Sequence, residues 1–278
     1  MEERNPRPLQ NFLGDIDALE KATKGLGHKV AAAFGDRSVL GFQAEWHIRG
    51  VLYHLRRVAE HHHTFVIEVC ARAGAGASVL YMYAPSYQEM LFEFYALVNL
   101  CRISLDNIRI YLRPLFTRKS DQLRKSVRDV LKGTTNCPVY LFLTGQPLVD
   151  YLLDLRNCLV HYRSFATSDN AYVIEEGSES AETLTDNNAY MAAMAKADFR
   201  RVGENGISVN VLLPDHIFDP NDKNGTRLAV FTYNERYSLI STARNFAQLS
   251  ILALADTLRL LAEIPDPVFE FSGGKHTA

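Results

Sequence analysis

The chain of 278 residues has four cysteines, one tryptophan and no long uninterrupted apolar run, and each shortage removes a class of function. Cys70, Cys101, Cys137 and Cys158 are more than 20 residues apart, so no paired C-x-x-C knuckle exists and buried free thiols are expected, with no metal site. The most apolar late stretch, Phe246 to Ile264, is broken by Gln248, Asp256, Arg259 and Glu263, which a lipid-exposed span tolerates poorly. The opening MEERNPRPLQ has no apolar core of a secretory signal. A cytoplasmic protein with no membrane partner is the expectation. Gly74-Ala-Gly76 lacks the third glycine of a dinucleotide fingerprint and reads as a turn, so no cofactor is implied. Net charge is −2, so any nucleic-acid site must come from a local concentration of Lys and Arg.

What is present is helical periodicity. Phe12, Leu13, Ile16 and Leu19 mark a first helix that Gly25 and Gly27 stop. Trp46, Val51, Leu52, Leu55 and Val58 form the apolar stripe of a helix over about 42–61. Thr64 to Cys70 then reads as a strand, 72–78 as a turn and Val79 to Tyr83 as its hairpin partner. Ser86 and Glu89, after Pro85, are spaced as a capping box that opens a helix running to about Pro114, seamed by Leu91, Phe94, Val98, Cys101, Leu105, Ile108 and Leu112. Shorter helices are expected over 120–131, ended by Gly133, and from Pro147 to Phe165. The acidic stretch 175–188 reads as a mobile loop, 207–213 and 227–233 as a strand pair, about 236–263 as a closing helix, and 271–278 as a fraying tail. The fold class is therefore mainly α, a helical bundle with small β-hairpin additions. Its organisation is an N-terminal part, 1–85, and a bundle, 86–278, with an insertion at about 166–235, or one continuous domain.

The helix beginning at Pro147 carries the chemistry. Leu148, Leu152, Leu155 and Leu159 share a stripe, and with Leu155 at zero, Arg156 falls at roughly 100°, Asn157 at roughly 200° and His161 at roughly 240°. All three are expected to point away from the core stripe. Arg163 lies two turns beyond Arg156, and Asp154 two turns before His161. The set suits a phosphodiester, because guanidinium binds phosphate oxygens in bidentate fashion and imidazole moves a proton near neutral pH. Leu153 and Val160 fall between the Arg and His edges, where polar residues are expected, which implies a second surface covering them.

Arg156-Asn157-Cys158-Leu159-Val160-His161 resembles the ribonuclease signature of the HEPN (higher eukaryotes and prokaryotes nucleotide-binding) superfamily. The resemblance covers the helical framework of about 86–165 and the C-terminal helix, and its specific part is Arg156, Asn157 and His161. It implies a HEPN-like bundle in which the motifs of two protomers meet at a dimer cleft and cut RNA without metal, in a toxin–antitoxin, antiviral defence or RNA-processing setting, with an antitoxin or regulatory protein as a further partner. The loose spacing of Arg four to six residues before His is uninformative, since Arg49 to His54, Arg56 to His61 and Arg57 to His62 share it; requiring Asn directly after Arg leaves only Arg156. His61, His62 and His63 read as a solvated helix terminus. Nine basic against three acidic residues between Arg102 and Lys132 make Arg109 and Arg113 candidates for an RNA backbone, beside Arg163 and Asp154; a merely solvated bundle face fits as well. The competing class is a non-catalytic helical module that binds a protein, a nucleotide or RNA.

Overall fold

The computed structural model describes residues 9–72, 79–82, 85–117, 126–161, 170–174, 181–183, 195–202, 206–214 and 233–272. The chain is mainly α-helical with small antiparallel sheets. In order, the helices are α1 (Leu9–Thr23), α2 (Leu26–Ala33), α3 (Ser38–Arg72), α4 (Pro85–Leu112), α5 (Val127–Val130), α6 (Pro138–Thr144), α7 (Pro147–His161) and α8 (Leu239–Glu263). The strands are β1 (Val79–Met82), β2 (Thr134–Thr135), β3 (Asn170–Ile174), β4 (Ala181–Thr183), β5 (Lys196–Val202), β6 (Gly206–Pro214), β7 (Tyr233–Ser238) and β8 (Phe271–Ser272). No helix of the described residues is long and apolar enough to cross a membrane. Contacts divide the chain into two units, one of residues 1–13, 55–96 and 154–244, the other of 14–54, 97–153 and 245–278.

In the second unit, α1 ends where Gly25 takes φ 78°, a left-handed conformation that glycine adopts without penalty. Gly27 does not stop a helix as expected; it sits inside α2, where a Cβ would lie 2.8 Å from the Gly41 carbonyl oxygen of α3. Its absent side chain lets two backbones touch. Glu45 of α3, 4% exposed, accepts the N–H groups of Gly27 at 2.8 Å and Gly25 at 3.4 Å, so a carboxylate caps the start of α2. Arg37, 6% exposed, does the converse at the end of α8: its guanidinium donates to the carbonyls of Leu261 at 3.2 Å, Ile264 at 2.5 Å and Pro265 at 2.6 Å. Asp106 of α4 accepts the Val127 N–H at 2.8 Å and opens α5. β2 and β8 pair as Thr134↔Ser272 and Thr135↔Phe271, beside Phe116, Phe269 and Tyr140, with Phe116 and Phe271 stacked at 5.0 Å. The residues from Phe271 expected to fray thus begin as a strand, and 273–278 lie outside the described residues.

In the first unit, α3 continues through the residues expected to form a strand. Phe65 and Val69 are buried one turn apart while Ile67 is exposed, which extends the 3–4 seam of Leu55, Val58 and Ala59. Packing along the seam overrides the local β propensity of Thr64, Val66 and Ile67. β1 therefore pairs with β3, Val79↔Val173 through Met82↔Asn170, and not with 64–70; β3 pairs in turn with β4, three residues of the stretch read as an acidic loop. Ser86 and Glu89 do not open α4 as a capping box: the Ser86 hydroxyl donates to Glu68 at 2.6 Å and Glu89 contacts His61, both on α3. A second sheet has the order β5-β6-β7, with Lys196↔Leu212 through Val202↔Gly206. β6 was expected, and it meets Tyr233 at Pro214; residues 227–232 of the expected partner lie outside the described set.

Candidate functional site

α7 starts on Pro147, whose missing N–H loses nothing in a first turn, and ends at His161. Val149, Leu152, Leu153, Leu155, Cys158 and Leu159 are buried, whereas Leu148 is half-buried. On the same helical wheel this buried arc runs from roughly 300° through zero to roughly 160°, much wider than a leucine stripe. Arg156, at roughly 100°, falls inside it, between Leu152 and Val149. The expectation that Arg156 points away from the core is corrected: its residue is half-buried, and its Nε is buried with no hydrogen-bond partner among the described residues. Leu153 is 1% exposed within this one chain, so its covering surface is the chain itself and not a second copy, whereas Val160, expected to share that cover, is half-buried.

Asn157 and Asp154 are half-buried on the remaining side of the helix. The Arg156 guanidinium donates to Asn157 Oδ1 at 3.5 Å, the outer limit of a hydrogen bond, so this contact restrains the arginine only weakly. His161 is the last residue of α7, with its side chain outside the described set, as is all of Arg163. Arg156 and Asn157 are thus brought together.

Arg109 and Arg113 belong to the other unit. Arg113 is exposed in the single 3-10 turn after α4, and Arg109 is half-buried. Burial, with the neighbouring Cys137 adding, raises the Tyr140 hydroxyl far above its usual pKa, while the charge of nearby Arg109 opposes that rise, so Arg109 acts on a group of the fold and is not simply solvated. Arg102 is likewise committed within the fold, bonded to Asp106 at 3.1 Å. The local basic excess is therefore partly structural, and 118–125, with four of its basic residues, lies outside the described set.

Two features were not found by sequence reasoning. His61 to His63 lie inside α3 and not at its terminus: His61 Nδ1 is 3.0 Å from Glu89, its Nε2 is 2.8 Å from Arg57, and Arg57 also reaches Glu60 at 2.7 Å. Burial, with the neighbouring His63 adding, pushes His62 down to about 4. Their i, i+4 and i, i+3 spacing was visible, but Glu89 on another helix was not. Cys70 is exposed, whereas Cys101, Cys137 and Cys158 are buried thiols. Among the described residues no group of three or more His, Cys, Asp or Glu could hold a metal. The second feature is a row of exposed aromatic residues on α3: Trp46, read as part of a core stripe, is 73% exposed. Comparison with models of known families, with characterised proteins and with solved structures finds no match.

Proposed function

We propose that the protein is a metal-independent endoribonuclease of the HEPN type, acting through Arg156, Asn157 and His161 of α7. The observation that carries this reading is the state of Arg156, a guanidinium held half-buried with its Nε unpartnered among the described residues. A charged donor kept in that condition favours an anionic acceptor, and a phosphodiester oxygen supplies one. In the reaction, the RNA 2′-oxygen attacks the adjacent phosphorus as its proton passes to a base; the P–O5′ bond breaks, and the leaving 5′-oxygen takes up a proton. His161 serves as base or acid, Arg156 stabilises charge on the phosphoryl oxygens, and Asn157 orients Arg156 or the substrate. The products are a 2′,3′-cyclic phosphate and a 5′-hydroxyl.

The partners that follow from this reading are RNA and, in a toxin or defence setting, an antitoxin or regulatory protein, in the cytoplasm. The test is cleavage of RNA by purified protein in EDTA, compared with Arg156→Lys, Arg156→Ala and His161→Ala. Loss of about a hundredfold or more in each alanine variant, with cyclic-phosphate ends on the products, supports the assignment. Equal cleavage by all forms, or none by any, removes it. The competing reading, a non-catalytic binding module, stands if RNA is bound and never cut.

A further inference from the structure

The aromatic row has a symmetry of its own. Val39, Phe42, Trp46, Arg49 and Tyr53 fall within an arc of roughly 80° on α3, a straight stripe along one face of the helix. The stripe faces solvent: Val39 is 62%, Phe42 44%, Trp46 73% and Tyr53 56% exposed. The three aromatic residues together leave roughly 350–400 Å² open, within the roughly 300–600 Å² of the largest apolar patch on a typical lone protein, a patch that is often functional. Trp, Tyr and Arg are also the residue types concentrated at the centres of protein interfaces.

We propose that this face is the contact between two copies of the chain, with α3 of one copy packed antiparallel on α3 of the other. Phe42 to Trp46 and Arg49 to Tyr53 are both steps of four. A twofold axis midway between Trp46 and Arg49 therefore sets Trp46 of each copy across from Arg49 of the other, and Phe42 across from Tyr53. The first pair is a guanidinium on an indole face, the second an aromatic pair. Arg49 is prepared for this role, because Glu45 holds it at 2.7 Å while its side chain stays 64% exposed, presenting the flat guanidinium outward. His28 and Phe42, in edge contact at 5.1 Å, line with Glu45, Trp46 and Arg49 a cleft of about 240 Å³. Tyr53 of the second copy, lying opposite Phe42, fills it. The aromatic area is nearly half of the ~800 Å² per partner of a standard stable interface, and Arg49, Val39 and His28 extend it.

This inference does not depend on the ribonuclease reading, and its tests involve no RNA. Trp46 is the only tryptophan, so emission excited selectively at tryptophan, beyond the absorption of the tyrosines, reports this side chain alone. On raising the protein concentration, light scattering should move from one chain mass to two while the Trp46 emission shifts to the blue and loses acrylamide quenching, both with the same midpoint. Trp46→Ala should weaken the dimer by about thirtyfold or more, read by mass, with an unchanged far-UV spectrum. The register has its own test in a Cys70→Ser background. Phe42→Cys mixed with Tyr53→Cys should form a mixed disulfide on oxidation, whereas Phe42→Cys alone should not cross-link, its copies lying roughly 16 Å apart along the helix. A single-chain mass at every concentration, a dimer indifferent to Trp46→Ala, or cross-linking of Phe42→Cys with itself overturns the proposal.

Discussion

Replacement of Arg37 by alanine removes the group that closes the end of α8. The last turn of a helix leaves its carbonyls without intrahelical donors, and here that of Leu261, with those of Ile264 and Pro265 just past the helix end, converges on one guanidinium. A hydrogen bond from a charged donor is worth about 1.5–3 kcal/mol, so the two short bonds contribute about 4 kcal/mol and the 3.2 Å bond to Leu261 less than one. Ile264 is half-buried and Pro265 exposed, so water replaces part of the loss in the variant. The expected destabilisation is about 3 kcal/mol, which for a chain of this size lowers Tm by roughly 6–12 °C. Arg37→Lys keeps the charge and loses the fork that reaches both Ile264 and Pro265, and should recover about half. Urea titration and calorimetry of the three forms read this directly. Since Arg37 is 6% exposed, the difference should persist in 0.5 M salt, roughly where exposed charges are screened. Arg37→Ala within about 1 kcal/mol of wild type, or an effect abolished by salt, would refute the reasoning.

Other perturbations follow from the same contacts. Burial opposes ionisation of Glu45, but Arg49 and the Gly27 and Gly25 N–H groups outweigh it and hold the carboxyl below the usual glutamate range. A depressed carboxyl contributes stability above its unfolded pKa and loses it as pH falls through the folded value; the stability gap between wild type and Glu45→Gln should thus be full near neutral pH and close as pH falls below the usual glutamate range. A gap independent of pH would contradict it. Gly27→Ala gains about 1 kcal/mol of helix propensity and meets the Gly41 carbonyl at 2.8 Å; the backbone clash wins, and denaturant melts should show a net loss of about 1–2 kcal/mol.

Long seams with steps of three and four were legible because they report a helix covered on one side by its neighbours. Leu91, Phe94, Val98, Cys101, Leu105, Ile108 and Leu112 are all buried, and α4 ends within two residues of its expected close. The end of α3 was not legible, because Thr64 to Cys70 satisfies both a strand's composition and, at Phe65 and Val69, a helix's period; only the surrounding packing chooses. α2 and α6 are short, and Cys137 to Leu143 is so uniformly apolar that no period emerges. Strand composition identifies β1 and β6 and leaves their partners open, since β1 pairs with residues far along the chain and β5 carries four charged residues in seven.

The burial of two helix faces, on α7 and α3, departed from expectation for one physical reason. A helical wheel fixes angles between residues and is silent on how much of the circumference is covered. On α7 the four leucines set a narrow core stripe, and Leu153 was left over as a sign of a partner; the chain itself covers Leu153, and the arc that does so takes in Arg156. On α3 the same assumption placed Trp46 in the core, whereas the stripe of Phe42, Trp46 and Tyr53 lies open. Arg156 thereby gains a stronger reason to seek an anion, because a half-buried guanidinium whose Nε–H has no partner among the described residues is worse solvated than an exposed one. Leu153 no longer argues for a second copy at α7, Val160 beside it stays half-buried, and the proposed contact on α3 rests on separate residues. These consequences separate in experiment: His161→Ala should end cleavage at unchanged mass, and Trp46→Ala should change the mass whether or not RNA is cut.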